Sequence, residues 1–313
     1  MILVTGGAGY VGRHVCRALG EDDVIVVDDL RNSCRAALPD RPIILREIER
    51  AKVEWPRIDV VLHCAGHDDC ARSSRDPGLA WRSNVAATAA FFEGARGKPV
   101  VFSSSAAVYG EPSVFPVAEG HLKLPISPEG RSKWTAEQLL RDYGVTLTVL
   151  RLFTVAGDDE DHPHEPHLIP NVVRAALTGR PLKVLGDGSA VRDFVHVEDV
   201  ARAHLLAQGV PGIFNVGSGR GWSVLEVLEV ARRVTGRTID VESAPARSGD
   251  PRALVADISK ARRELGWKPA FSLEEMIDSA WNWRKAHPDG YAGKKPEVHI
   301  PALRLEAWPP SVV

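Results

Sequence analysis

A chain of 313 residues with 44 % hydrophobic side chains is long enough for one large or two ordinary domains around a proper core, which excludes disorder as its overall state. Its 39 basic and 41 acidic residues nearly cancel, so no bulk field recruits nucleic acid or an anionic membrane. Any bound anion has to be met by local groups.

The four cysteines (Cys16, Cys34, Cys64, Cys70) lack CxxC spacing, so neither a disulfide framework nor a zinc site is indicated, and they read as small buried thiols. No basic leader precedes "MILVTGG", and no apolar run approaches the ~18 residues of a membrane helix, so the expectation is a soluble, cytoplasmic protein.

From the N-terminus, short β-branched runs alternate with helical patterns: "ILVTG", "GRHVCRALG", "VIVVDD", "PIILRE", "DVVLHCAG", "VAATAAFFEGAR", "PVVFSSS" and, after a further helix, "VTLTVLRLF". Continuous apolar strands separated by amphipathic helices are what a parallel sheet covered on both faces requires. The first ~155 residues therefore predict a Rossmann-type, doubly wound α/β domain. Beyond Gly157 comes a polar run, "DDEDHPHEPH", then a helix in "LIPNVVRAALTG" and a strand in "PLKVL". Two further helices in "VLEVLEVARRVTG" and "LEEMIDSAWNWRKA", with a strand-like "TIDVESA" between them, predict a smaller mixed α/β lobe. The proline-rich tail after His287 predicts little regular structure. In the acidic-histidine run, His162, His164 and His167 lie near Asp158, Asp159, Glu160 and Asp161, but prolines interrupt it and the spacing matches no common ligand set. It reads as a solvated surface loop without a metal.

Gly6, Gly9 and Gly12 in "VTGGAGYVG" follow a strand and open a helix, where glycines permit a tight turn and close approach of backbone to a pyrophosphate. Tyr10 and Val11 lie between them. The second strand ends at Asp28, about sixteen residues beyond Gly12, where a carboxylate can accept hydrogen bonds from the adenosine ribose hydroxyls and repel a 2′-phosphate. NAD is thus favoured over NADP.

With these features, and with "HCAG", "SNVAAT", "VFSSSAAVYG", "RLFTVAG", "GDGSAVRDFVHVEDVA", "FNVGSG" and "ISKARRELGWKP" following in order, the chain resembles the extended short-chain dehydrogenases/reductases of the NAD-dependent epimerase/dehydratase group. The resemblance implies an NAD-binding domain over residues 1–155, with segments near 192–220 returning to it, and a nucleotide-sugar lobe and tail over 156–191 and 221–313. It implies that Asp28, Asp29 and Asn32 hold the adenosine half, that Glu47 and Ile48 lie near adenine, that Ala65 and Gly66 line the cofactor, and that Asn84 supports the pocket. Lys133 would bind the nicotinamide ribose. Arg192 and Arg247 would meet the diphosphate of a nucleotide sugar, with Asp250 on its ribose and Ser104, Thr154, His167 and Leu168 around the substrate. Thr154 and His167 each stand where asparagine is usual. A homodimer is implied through the helices in "VAATAAFFEGAR" and "SKWTAEQLLRDYG".

The group's chemistry is reversible hydride transfer in which a tyrosine four residues before the lysine moves the proton of a sugar hydroxyl and a serine, here Ser105, assists. In this chain Glu129 occupies that tyrosine position. Dehydratases of the group carry Asp-Glu before "VYG", decarboxylases a glutamate and 3,5-epimerases a cysteine, whereas here Ala106 and Ala107 stand there, which favours simple oxidation and reduction at one carbon, as in 4-epimerization. Three readings stay open: an epimerase or related oxidoreductase with Glu129 as an unusual acid/base, including elimination or α-proton chemistry; a protein that binds NAD and a sugar nucleotide but turns over little; and other substrates on the same scaffold.

Overall fold

The structure, a computed structural model, describes residues 1–38, 40–161, 167–246 and 250–291. Seven strands form one parallel sheet: β1 (Ile2–Thr5), β2 (Val24–Asp28), β3 (Ile43–Leu45), β4 (Val60–His63), β5 (Pro99–Ser105), β6 (Thr146–Leu152) and β10 (Gly212–Val216), in the spatial order β10-β6-β5-β4-β1-β2-β3. The order runs outward in opposite directions from β1, and the crevice beyond the carboxyl ends of β1 and β4 is the switch point at which open α/β sheets bind ligands.

Both faces of the sheet are covered, which is why its strands read as continuous apolar runs. Leu3, Val27, Val61, Val100, Phe102 and Val149 pack on α4 (Ala87–Phe92) and α5 (Pro128–Asp142), while Val4, Val26, Leu62, Val101 and Leu150 face α1 (Tyr10–Ala18) and α7 (Val197–Leu206). Two short helices, α2 (Cys70–Arg75) and α3 (Pro77–Trp81), follow β4, and a π-helical turn over Arg82–Ala86 precedes α4.

A second core joins α6 (Leu168–Thr178), α8 (Val224–Thr235) and α10 (Leu273–Ala286) through Ile169, Val172, Val227, Leu228, Met276 and Ile277. Capping boxes start α8 and α10: Ser223 with Glu226, and Ser272 with Glu275. A two-stranded parallel sheet, β8 (Leu182–Leu185) with β12 (Val241–Ala244), flanks these helices. A four-stranded sheet links the halves: β9 (Val191–His196) pairs with β7 (Thr154–Ala156), β11 (Gly221–Ser223) and β13 (Ala253–Leu254), and α9 (Ser259–Glu264) follows.

The acidic run after Gly157 departs from its reading as a solvated loop. Asp159 and Glu160 are buried, and the Asp159 carboxylate takes charged hydrogen bonds from Arg13 Nε (2.8 Å) and Arg17 NH1 (2.6 Å) on α1. Two guanidiniums from a distant helix offset the desolvation that sequence polarity alone argues against. His162 and His164 lie outside the described residues, as does the tail beyond Tyr291. The four cysteines are free, but only Cys16 is fully buried; Cys64 and Cys70 face a cleft.

The position of α5 rests on one ion pair. Glu137 and Arg151 are both fully buried, with Oε2–NH2 at 2.7 Å and Oε1–Nε at 3.0 Å, and Ser104 on β5 adds a hydrogen bond to Oε1 at 2.6 Å. Removing one partner leaves the other charge buried and unpaired. Glu137→Ala is therefore expected to destabilise the fold by about 3–5 kcal/mol, read as a lowered urea midpoint; an unchanged midpoint would show that the pair does not hold the helix.

Candidate active site

The carboxyl end of the large sheet and the helical lobe enclose a cleft of about 860 Å³, a size suited to small-molecule ligands. The glycine turn forms one wall. Gly6 has φ +68°, and a Cβ on Gly12 would lie 2.1 Å from the Gly6 carbonyl oxygen, so the first turn of α1 closes on the strand only with glycine there. Gly6, Gly9, Tyr10, Val11 and Gly12 all line the cleft, a backbone cradle at a helix N-terminus that fits the pyrophosphate of a dinucleotide. Asp28, buried at the end of β2, accepts from the Ala8 amide (2.9 Å) and the Leu30 amide (2.7 Å), which fixes its carboxylate beside this turn.

Asn32 and Gly66 also line the cleft, whereas Asp28, Asp29, Glu47, Ile48, Ala65 and Asn84 stand behind or beyond its lining. Asp29 and Glu47 both pair with Arg31, at 3.3 Å and 2.6 Å. Asn84, in the π-helical turn, accepts from the His67 amide (2.6 Å) and donates to the His67 carbonyl (2.9 Å) and to Ser132 Oγ (2.8 Å). It braces the loop after β4 against α5.

The floor of the cleft is the start of α5. Ser127 caps the helix by accepting from the Gly130 amide (3.1 Å), and Pro128 supplies the fixed φ of the first turn. Gly130 is required by packing: a Cβ there would lie 2.4 Å from the Ala107 carbonyl oxygen, so glycine lets the short turn Ala106–Tyr109 sit directly on the helix. Ser105 begins that turn, accepts from the Ala107 amide (3.1 Å) and faces the cleft.

Glu129, Lys133 and Glu137 recur at every fourth residue and so share one buried face of α5. Lys133 Nζ donates to the Ser103 carbonyl (2.8 Å) and lies 5.2 Å from the centre of the Phe102 ring. Burial lowers its pKa, with the Glu129 charge acting in the opposite direction. Glu129 is 1 % exposed; one carboxyl oxygen meets Cys70 Sγ at 3.1 Å, and the other makes no hydrogen bond of good geometry, although the Ser105 hydroxyl stands close enough to the carboxyl to bear on it. Burial pushes its pKa above the usual carboxylate range, while Cys70, Lys133 and Ser105 pull it back.

The opposite wall comes from the helical lobe. Thr154, His167 and Leu168 line it, with Arg192. Arg192 is ion-paired with Asp250, and His167 Nδ1 meets the Glu160 carboxylate. Burial opposes protonation of His167 most strongly, but the charge and hydrogen bond of Glu160, with the charges of Asp68 and Asp69, together outweigh it and lift the pKa to about 9. Ser104 lines the cleft, but its hydroxyl is committed to Glu137. Arg247 lies outside the described residues. Residues that sequence reading did not single out also reach the cleft: Asp68, Cys70 and Arg72 from the loop after β4 and α2, and Arg174, Arg180 and Lys183 from the helical lobe. Only the cationic side chains carried a legible signal, since an anionic ligand calls for them.

A parallel sheet with a glycine turn at its switch point, and a buried lysine at the start of the helix after β5, defines a dinucleotide-dependent enzyme of the Rossmann type. The profile of the NAD dependent epimerase/dehydratase family matches residues 2–217, and the chain belongs to that family. NAD is accordingly its cofactor, and the expectation of an NAD-dependent epimerase stands. The UDP-glucose 4-epimerase of Halalkalibacterium halodurans is 40% identical, covering 93% of this chain and 97% of that protein. Among solved structures, UDP-glucose 4-epimerase from Thermotoga maritima with UDP-glucose has a TM-score of 0.85 at 34% identity, covering 91% of this chain and 98% of that one. The Bifidobacterium longum enzyme in complex with NAD+ and UDP has a TM-score of 0.84 at 31% identity, covering 92% and 99%.

Gly12→Ala is expected to abolish measurable NAD binding in calorimetric titration, because the Cβ drives the turn away from the helix end. Wild-type affinity in this variant would place the dinucleotide elsewhere.

Proposed function

We propose that the protein is an NAD-dependent nucleotide-sugar 4-epimerase acting on a UDP-sugar, with Glu129 as the proton-transfer group. The observation that carries this reading is the Glu129 carboxyl itself: buried at the floor of the cleft beside Lys133 and Ser105, with one oxygen making no hydrogen bond of good geometry. The relatives that carry NAD and UDP or UDP-glucose support the ligand classes.

NAD, when bound, supplies reversible hydride acceptance at the carbinol carbon. The chain's own part is binding, orientation and proton movement. The amides of the Gly6–Gly12 turn hold the pyrophosphate, and Lys133 serves the ribose on the nicotinamide side. Arg192, with Arg174, Arg180 and Lys183 on the same wall and Arg247 by family resemblance, faces the diphosphate of the sugar nucleotide. Asp250 and the Thr154, His167 and Leu168 group meet the ribose and the remaining substrate surface, while Asn84 and Asp28 hold the loops in place. Ser105 donates to the reacting sugar oxygen. Glu129 takes the hydroxyl proton as the carbon is oxidised and returns it when the carbon is reduced on its other face, so no net oxidation occurs.

A carboxylate of ordinary pKa is a weak base for an alcohol, and its burial here raises the pKa and so makes Glu129 a stronger base. The helix N-terminus and Lys133 meanwhile tolerate its charge. The absence of a further acid or base at Ala106 and Ala107 keeps the chemistry to a single carbon.

Incubation with UDP-glucose and NAD, followed by chromatography of the product, tests this reading. The wild type is expected to form UDP-galactose, and Glu129→Gln to lose about 10²- to 10⁴-fold in kcat. Because the Glu129 pKa is raised and the ionised form is the base, the wild-type rate falls as pH drops through that pKa; Glu129→Tyr moves this acid limb to higher pH. Turnover by Glu129→Gln equal to wild type would sink the role of Glu129, and no turnover of any UDP-sugar by the wild type would favour a binding protein.

We further infer a homodimer built through α4 and α5, near which Trp81 stands exposed. Light scattering is expected to give twice the 34.1 kDa chain mass, and a mass near one chain would exclude the pair.

A further inference from the structure

We propose that Cys70 is a positioning residue for proton transfer: its S–H donates to Glu129 Oε2 and so presents Oε1 to the substrate. The inference rests on the reading of Glu129 as the acid/base and adds a residue that the family chemistry does not assign.

Cys70 begins α2, and Asp69 caps that helix by accepting from the Arg72 amide at 2.9 Å. This places Sγ 3.1 Å from Glu129 Oε2 and 3.5 Å from Ser127 Oγ, at the meeting of α2 with the first turn of α5. Both side chains line the cleft. A carboxyl group at the start of a helix can rotate about its last torsion, and without a partner its two oxygens are equivalent. The thiol removes that equivalence. Oε2 is engaged by the thiol, while Oε1 is buried, makes no hydrogen bond of good geometry and belongs to a side chain on the cleft floor, with the Ser105 hydroxyl close enough to the carboxyl to lower its pKa.

The thiol suits this task because it does not itself ionise. Burial and the neighbouring Glu129 charge push the Cys70 pKa well above the usual thiol range, so the S–H remains a donor throughout the working range of pH. Each turnover moves a proton between the sugar hydroxyl and Oε1, and the Cys70 proton stays on sulfur. The groups that bear on Glu129 are Cys70 from α2, Lys133 from α5 itself, Ser105 from β5 and Asp68 from the loop after β4. Of these, Cys70, Lys133 and Ser105 favour the ionised carboxylate, and Asp68 opposes it. Deleting the thiol donor therefore raises the Glu129 pKa, and replacing it by a hydroxyl restores a donor to the same oxygen.

The test uses the full chain loaded with NAD, in wild type, Cys70→Ala and Cys70→Ser, with Glu129→Gln as the reference that removes the carboxyl. Infrared difference titration against Glu129→Gln isolates the Glu129 carboxyl stretch. In Cys70→Ala its titration is expected to move up by about one pH unit, and in Cys70→Ser to return to or below the wild-type value. With UDP-glucose as substrate, Cys70→Ala is expected to lower kcat on the order of 10- to 100-fold with little change in KM, with its acid limb following the infrared shift, and Cys70→Ser is expected to recover most of the rate. An infrared titration of Cys70→Ala that coincides with wild type, or an unchanged kcat in that variant while Glu129→Gln is inactive, overturns the role of Cys70 and leaves that of Glu129 standing. Wild-type turnover by Glu129→Gln overturns both. If Cys70→Ala does not fold, the Cys70→Ser titration decides: a carboxyl pKa well above wild type despite the hydroxyl contradicts the inference.

Discussion

The buried ion pair between Glu137 and Arg151 is the constraint on which the site depends. Two charges with no exposed surface are tolerated only with full hydrogen bonding, which Ser104 and Tyr109 complete at 2.6 and 3.0 Å. The pair pins α5 to β5 and β6 at one register. Since Glu129, Lys133 and Glu137 lie four residues apart on one face, fixing the third places the other two at the mouth of the sheet. The energetics of the core and the geometry of the cleft are thereby one problem, and the same helix that carries a structural carboxylate in its middle carries an exploitable one at its start.

Charge is distributed unevenly within an almost neutral molecule. Arg174, Arg180, Lys183 and Arg192 gather on the wall built by the helical lobe, while Asp68, Asp69 and Glu129 gather near the floor. An elongated ligand with an anionic centre and a neutral reacting end matches that division, with phosphates at the cations and a hydroxyl near the carboxylates. Lys133 is the exception, a cation sunk among acidic groups, where burial lowers its pKa and Glu129 supports its charge.

Much of this was legible in the sequence, for identifiable physical reasons. The large sheet shows because a strand buried on both faces must be apolar throughout, and the glycine turn shows because a Cβ on Gly12 would lie 2.1 Å from the Gly6 carbonyl oxygen. The return of β10 to β6 was legible only through the family resemblance, because a strand arriving from residue 212 carries no local sign of its neighbour. Cys70 was invisible as a site residue: it is 59 positions from Glu129, and a thiol on a short helix reads as packing. The acidic run around Asp159 misled for the opposite reason, since its burial depends on Arg13 and Arg17 far away in the chain. In each case the missing knowledge was a long-range partner, which periodicity does not encode.

With Glu129 as the proton-transfer group, the reacting hydroxyl must come to it. The most direct measurement is a crystal structure of the chain with NAD and a UDP-sugar. The sugar O4 should lie about 2.6–3.2 Å from Glu129 Oε1, with Ser105 Oγ on the same oxygen. An O4 hydroxyl held by Ser105 and a different acid or base, with Glu129 out of hydrogen-bond reach even through one water, would contradict it.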